Sequence, residues 1–217
     1  MTTDDPGARL DIVPLTPELL PELAALFSTG DPRWCWCMYF RRRGLDWSNA
    51  SSDDNRADLE RLAASADATA GPAPGLVGVR DGVAIGWVSL GPRADYERLA
   101  FSRLLAPVDD RAVWSIVCFV VAARARRQGV AHALLEAAIA YARDQGATTL
   151  EAYPLHESRG RVSSSSAYVG TQSMFERAGF AVVETRQANA ASPPRPIVRL
   201  ELGPRRSGNP GRRRRGS

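Results

Sequence analysis

The sequence predicts one α+β domain built on a mixed β-sheet, and three features carry that reading. Residues 76–80 and 83–90 are β-rich runs split by Asp81-Gly82, the two-residue signature of a tight hairpin. Residues 112–122 form a nearly unbroken apolar run, as expected of a strand covered on both faces. A glycine turn and an amphipathic helix follow that run directly, so strand, turn and helix stand in sequence.

The remaining elements fit around these. Residues 10–15 alternate enough for a short first strand, and Thr16 as N-cap with Pro17 at the first helical position opens a helix. Leu19, Leu23 and Leu26 form the buried stripe of that helix, and Gly30-Asp31-Pro32 ends it. A second helix starts at the Ser51 to Asp54 cluster and runs to about Ala66. After the hairpin, residues 92–108 read as a helical or irregular excursion. Ala131, Leu134, Leu135, Ala138 and Ala142 then recur at helical spacing between Gly129 and Gln145, with Gly146 as the stop. A strand at 148–153, a loop at 154–168, a short helix at 171–178 closed by Gly179, and strands at 181–186 and 197–202 complete the order.

With 217 residues, 44% of them hydrophobic, the chain can bury one full core. No stretch reaches the roughly 20 apolar residues of a membrane span. The polar, acidic start at residues 1–9 does not read as a secretory signal, so a cytoplasmic protein is expected. Three cysteines, an odd number, argue against a disulfide framework. All 28 basic residues are arginine, and six of them (Arg205, Arg206 and Arg212 to Arg215) stand in the last fifteen residues. Removing those six takes the formal charge of +4 to about −2, so the basic character belongs to a tail. We therefore divide the chain into a domain at 1–202 and a disordered Arg-rich tail at 203–217, whose charge suits contact with nucleic acid.

Chemistry concentrates in Arg126-Arg127-Gln128-Gly129-Val130-Ala131, a basic, glycine-containing turn at a helix start. Backbone N–H groups there, with the positive end of the helix dipole behind them, favour a phosphate, and glycine lets the backbone come close to it. The turn resembles the acyl-CoA pyrophosphate loop of the GNAT acetyltransferase superfamily, in which Arg or Gln, two residues, Gly, one residue, then Gly or Ala recur; Arg126, Gly129 and Ala131 match. Ser173 to Phe180 is similar to the helix of that family that ends in Gly-Phe.

The resemblance implies a GNAT fold, a mixed central sheet of six to seven strands flanked by about four helices. It implies an acyltransferase that takes an acetyl or other acyl group from acetyl-CoA or another acyl-CoA, without a metal, and gives it to an amine of a small molecule or peptide. Backbone groups of Phe119, Val120 and Val121 would bond the pantetheine arm, and Arg126, Arg127, Gln128, Gly129, Val130 and Ala131 would hold the pyrophosphate. Where many relatives carry a tyrosine acid this chain has Phe175, and Tyr168, seven residues earlier, is the nearest replacement donor. For a base, Glu151 on the strand after the helix, or Asp95 or Glu97 after the hairpin, is a carboxylate expected near the sheet opening, each with a solvated or structural role as the alternative, and water can relay the proton instead.

On the acceptor side, Trp34, Trp36 and Tyr39 belong to an aromatic, cysteine-containing segment in the region that lines the acceptor pocket of that family; the same segment also reads as a hydrophobic plug. Arg41 to Arg43 beyond it suit an acidic acceptor or a solvated face. The serines 163–166 fall in a loop that can cover the acceptor. Neither zinc ligation nor a cysteine nucleophile finds the partners it needs around Cys35 and Cys37. Two other functions fit the same fold: transfer from aminoacyl-tRNA, which would employ the Arg-rich tail, and non-enzymatic acyl-CoA binding. Whether the chain forms a homodimer is open from sequence.

Overall fold

The structure, a computed structural model, describes residues 9–156 and 168–203. The Arg-rich tail beyond residue 203 and the serines 163–166 lie outside the described residues. Seven strands form a single sheet: β1 (Asp11–Pro14), β2 (Gly75–Arg80), β3 (Val83–Pro92), β4 (Trp114–Val121), β5 (Thr149–Ala152), β6 (Ala181–Arg186) and β7 (Arg195–Glu201). Their order across the sheet is β1-β2-β3-β4-β5-β7-β6. Of the neighbouring pairs, β4–β5 is parallel and the rest are antiparallel. The apolar run read as the most buried strand is β4, and it occupies the centre.

Helices cover both faces: α1 (Leu20–Phe27), α2 (Pro32–Cys35), α3 (Gly44–Asn49), α4 (Ser52–Thr69), α5 (Glu97–Phe101), α6 (Val130–Asp144) and α7 (Gln172–Arg177). The first helix begins later than Thr16 suggests. A single 3-10 turn, Pro17–Leu19, comes first, and the α-helix starts at Leu20, because Pro21 lacks the N–H that any position beyond the first turn would need. The start of α4 matches its sequence signal: Ser51 and Asp54 bond each other's backbone N–H reciprocally, at 3.1 and 2.9 Å. That helix runs three residues past the expected end, to Thr69.

The hairpin between β2 and β3 turns through Asp81 and Gly82, both at positive φ (51° and 76°), the geometry that matches strand twist. On one face of the sheet α6 and α7 cover a core of Leu134, Leu135, Phe119, Phe175 and Val198; on the other, Leu23, Phe27, Leu59 and Trp87 pack beneath α1 and α4. Packing of α6 against the sheet depends on Gly86 of β3. A Cβ there would lie 2.9 Å from both Val130 Cγ1 and Leu134 Cδ1 at the start of the helix. This close approach sets the height of the α6 N-terminus above β3 and β4.

Gly86→Val should therefore push α6 outward and destabilise the fold by about 1–3 kcal/mol, as overpacking does. A urea unfolding curve with an unchanged midpoint would contradict that role.

Candidate active site

The centre of the sheet opens where two parallel strands part. β4 and β5 pair at Trp114 with Leu150, Ser115 with Glu151 and Ile116 with Ala152, and there β5 ends while β4 continues to Val121. Past Ala152 the chain bonds to a different segment: Leu155 N–H donates to the Gly170 carbonyl and Gln172 N–H to the Leu155 carbonyl, both at 3.0 Å. Among the described residues, no strand pairs with 117–121 of β4 on that side, so those backbone groups face an opening. The register of β4 against β3 also slips between Ser89 and Leu90. Val117 and Cys118 consequently both face the α1 side of the sheet, where both line a cleft.

The base of the opening is held by a buried ion network. Glu151 is 0% exposed and accepts from Arg93 Nη1 at 3.1 Å, Arg199 Nε at 2.8 Å and the Tyr153 hydroxyl at 2.6 Å. Arg199, its cross-strand neighbour on β7, grips Asp109 with both Nη atoms at 2.6 and 3.1 Å. That pairing holds the Asp109 carboxyl well below the usual carboxylate range. Arg93 also donates to the Tyr153 hydroxyl and to the carbonyls of Leu99 and Leu105, tying the 92–108 excursion to the sheet. Burial, with the charge of Glu151 beside it, pushes the Tyr153 phenol far up. Of the two roles open to Glu151, base or structural, the geometry favours the second: its carboxylate carries two guanidiniums and a phenol and ties the strands together. Asp95 and Glu97 are also paired, with Arg41 at 3.6 Å and Arg43 at 3.5 Å.

At the other end of the opening lies the basic loop. Arg127 and Gly129 adopt left-handed conformations (φ 63° and 79°), and Ala133 N–H is bonded back to the Gly129 carbonyl at 3.0 Å. The N–H groups of the first turn ahead of it have no intrahelical acceptor, as at any helix start. Gln128 braces the loop, accepting from Arg80 at 2.8 Å and donating to the Arg124 carbonyl at 2.9 Å. Val130 is buried against Gly86, and Ala131 packs at the core edge. Arg126 and Arg127 are exposed, and Arg126 Nε leans back to the Val121 carbonyl at 3.4 Å. The side chains of Phe119 and Val120 point into the two cores, so only their backbone is offered to the opening. Phe175 is wholly buried between Phe119 and Phe180, with ring centroids 6.1 and 5.1 Å away.

A cleft of about 890 Å³ adjoins the opening on the α1 side. Tyr168 is one of its lining residues, with its phenol oxygen 3.5 Å from where a Cβ on Gly30 would stand. Burial first, then the charge of Asp31, raises the phenol above its ordinary value, against a smaller opposing pull from Arg126. Trp34, 60% exposed, and Tyr39 lie on the cleft wall with Trp47 and Phe101. Trp36 does not. Left-handed backbone at Trp36 and Cys37 turns the indole inward, leaving it 7% exposed against Phe27 with its Nε1 on Ser52. The aromatic segment thus both plugs the core and lines the cleft. Cys37 lies 3.2 Å from Cys118, and hydrogen bonding between the thiols together with burial pushes Cys35 and Cys37 far up, so both stay protonated. Among the described residues no group of three His, Cys, Asp or Glu could hold a metal ion, and no helix is long and apolar enough to cross a membrane.

A parted central pair with a basic, glycine-containing helix start at one end is the arrangement the sequence resemblance implied, and comparison with known proteins agrees. The chain belongs to the acetyltransferase (GNAT) family, whose sequence profile matches residues 36–161. No curated protein sequence matches it. Among solved structures it is similar to a GNAT-family acetyltransferase from Streptococcus pneumoniae (17% identity, TM-score 0.52, covering 90% of this chain and 100% of that one). It is also similar to a GNAT-family protein from Desulfovibrio desulfuricans (17%, TM-score 0.55, 90% and 100%). A third is the PaiA N-acetyltransferase from Thermoplasma acidophilum in complex with coenzyme A (14%, TM-score 0.50, 89% and 99%). At these identities the likeness is one of fold.

The Glu151 network generates its own test. Glu151→Ala should leave two arginines facing each other in the interior and lower stability by about 3–5 kcal/mol, read as a fall in the thermal unfolding midpoint. A variant as stable as the parent chain would return Glu151 to a role at the opening.

Proposed function

We propose that this chain is an acyl-CoA-dependent N-acyltransferase, moving an acetyl or other acyl group to an amine by direct attack. One observation carries the reading: the unpaired edge of β4 lies between the basic start of α6 and an aromatic cleft, so a single extended donor could touch an anion site and reach an acceptor. The loop has room for it, since a Cβ on Gly129 would meet nothing within 4 Å. The amides from Arg127 to Ala131, with the guanidiniums of Arg126 and Arg127, would hold the pyrophosphate. Backbone groups of Phe119, Val120 and Val121 would bond the amides of the arm. When bound, acyl-CoA supplies a thioester carbonyl open to a nucleophile.

In the transfer the amine nitrogen forms the new C–N bond, the C–S bond breaks, the amine gives up one proton and the thiolate gains one. Tyr168 is the donor to the thiolate: its phenol stays protonated at neutral pH and stands near Cys118, on the strand whose edge is open. Phe175 occupies the core and has no proton to give. The proton of the amine leaves to water entering the cleft, because the carboxylates of Glu151 and Asp95 are engaged by arginines. Trp34 and Tyr39 face the acceptor, and catalysis consists of positioning and proton transfer.

Titration of acetyl-CoA into the purified chain by calorimetry should give micromolar binding, lost in Gly129→Asp, where a carboxylate replaces open space beside the loop. Unchanged affinity in that variant would remove the loop from the site. Tyr168→Phe should slow turnover about 100-fold while acetyl-CoA affinity holds; full activity would assign Tyr168 to packing.

A further inference from the structure

Three arginines line the cleft, and two of them have partners, although Arg98 Nη2 is buried without an acceptor of its own. Arg43 lies 3.6 Å over the Phe101 ring and pairs with Glu97 at 3.5 Å. Arg98 donates through Nε to the carbonyls of Tyr39 and Arg42 at 2.6 and 3.1 Å, and stacks 4.1 Å from the Tyr39 ring. The guanidinium of Arg195 is different: among the described residues no hydrogen bond or ion pair reaches it, although burial depresses it below the usual arginine value. A partly buried guanidinium without an acceptor is costly unless something that enters the cleft supplies one.

Register shows where Arg195 stands relative to the opening. The last β5–β7 pair is Ala152 with Val198, and the last β4–β5 pair is Ile116 with Ala152. Arg195 is three residues further along β7, in the direction in which β4 runs on from Ile116. It therefore lies past the end of β5, across the gap from the unpaired edge, about 10 Å away at two strand spacings. Pro194 and Pro196 flank it, and a residue before proline is confined to extended backbone, so the side chain starts from a stiff position. Asp31 is the one acid on the cleft wall among the described residues, and its charge acts on the Tyr168 phenol.

We propose that the acceptor is an amino-acid-like amine, with Arg195 as the specificity residue that binds its carboxylate and the aromatic cleft wall packing an apolar side chain. This deepens the acyltransferase reading and rests on it. A carboxylate matches the planar fork of one guanidinium, and among the described residues Arg195 is the cleft arginine with no hydrogen bond or ion pair, whereas Arg43 and Arg98 are held by Glu97 and by backbone carbonyls. The amine end then lies toward Asp31, Tyr168 and the β4 edge, where charge complements an ammonium before it loses its proton.

The test uses the full chain, acetyl-CoA and matched pairs: L-phenylalanine, L-leucine, L-methionine and L-tryptophan, each against its carboxamide. Thiol release should show at least one acid turned over with KM about 10- to 100-fold below that of its amide, the range of a charge-assisted hydrogen bond. Arg195→Ala should raise KM for that acid by a similar factor, leave the amide unaffected and keep acetyl-CoA affinity; Arg195→Lys should recover part of the difference. Amides used as well as acids, or no acid turned over or bound by a chain that binds acetyl-CoA, would overturn the proposal. If acetyl-CoA itself does not bind, the acyltransferase reading fails, and calorimetry of the acids with the parent chain and Arg195→Ala still decides what Arg195 recognises.

Discussion

A buried carboxylate held by two arginines fixes the geometry on which the rest of the site depends. Glu151 joins Arg93 of the excursion after β3 to Arg199 of β7, and its own strand lies against β4 at Ser115. The three strands are thereby tied together immediately below the residue pair where β4 and β5 part. Breaking such a network leaves unpaired charge in the interior, so the base of the opening is rigid while its mouth is free of strand pairing. The proposed function would use that contrast: open backbone groups on a central strand would be available to a ligand because the same sheet is locked one residue pair lower.

Each side of the opening contributes a different chemistry for local reasons. On the α6 side, left-handed Arg127 and Gly129 turn the chain so that a helix start faces the end of β4, and Gly86 allows the helix to sit close enough for this to matter. On the α1 side, the register slip of β4 turns Val117 and Cys118 to one face, against aromatic side chains from the segment after α1. Tyr168 joins the two sides, influenced by both Arg126 and Asp31.

Much of this was legible in the sequence because it depends on local pattern. The Asp81-Gly82 turn, the apolar run of β4 and the helical spacing after Gly129 each depend on residues close in the chain, and the elements stand where those signals put them. Phe175 was readable as a position with no proton to donate. What sequence missed is non-local. The arginines that bind Glu151 are 58 and 48 residues away, brought there by strand register, so sequence left its base and structural roles both open. Trp36 shares its composition with Trp34, and only the left-handed backbone at 36 and 37 sends it inward. The short helices α2 and α3 are too brief to leave a periodic signal. Arg195 was hidden among 28 arginines; its one local mark is the proline on either side.

The claim at the centre of this account is that one ligand occupies both the unpaired edge of β4 and the start of α6. Amide hydrogen exchange across residues 117–121 and 127–132, with and without acetyl-CoA, tests it most directly. The account predicts that both segments gain protection together on addition of acetyl-CoA, while the hairpin amides of β2 and β3 stay as they were. Protection confined to one segment, or no change in either at concentrations where the chain binds acetyl-CoA, would contradict it.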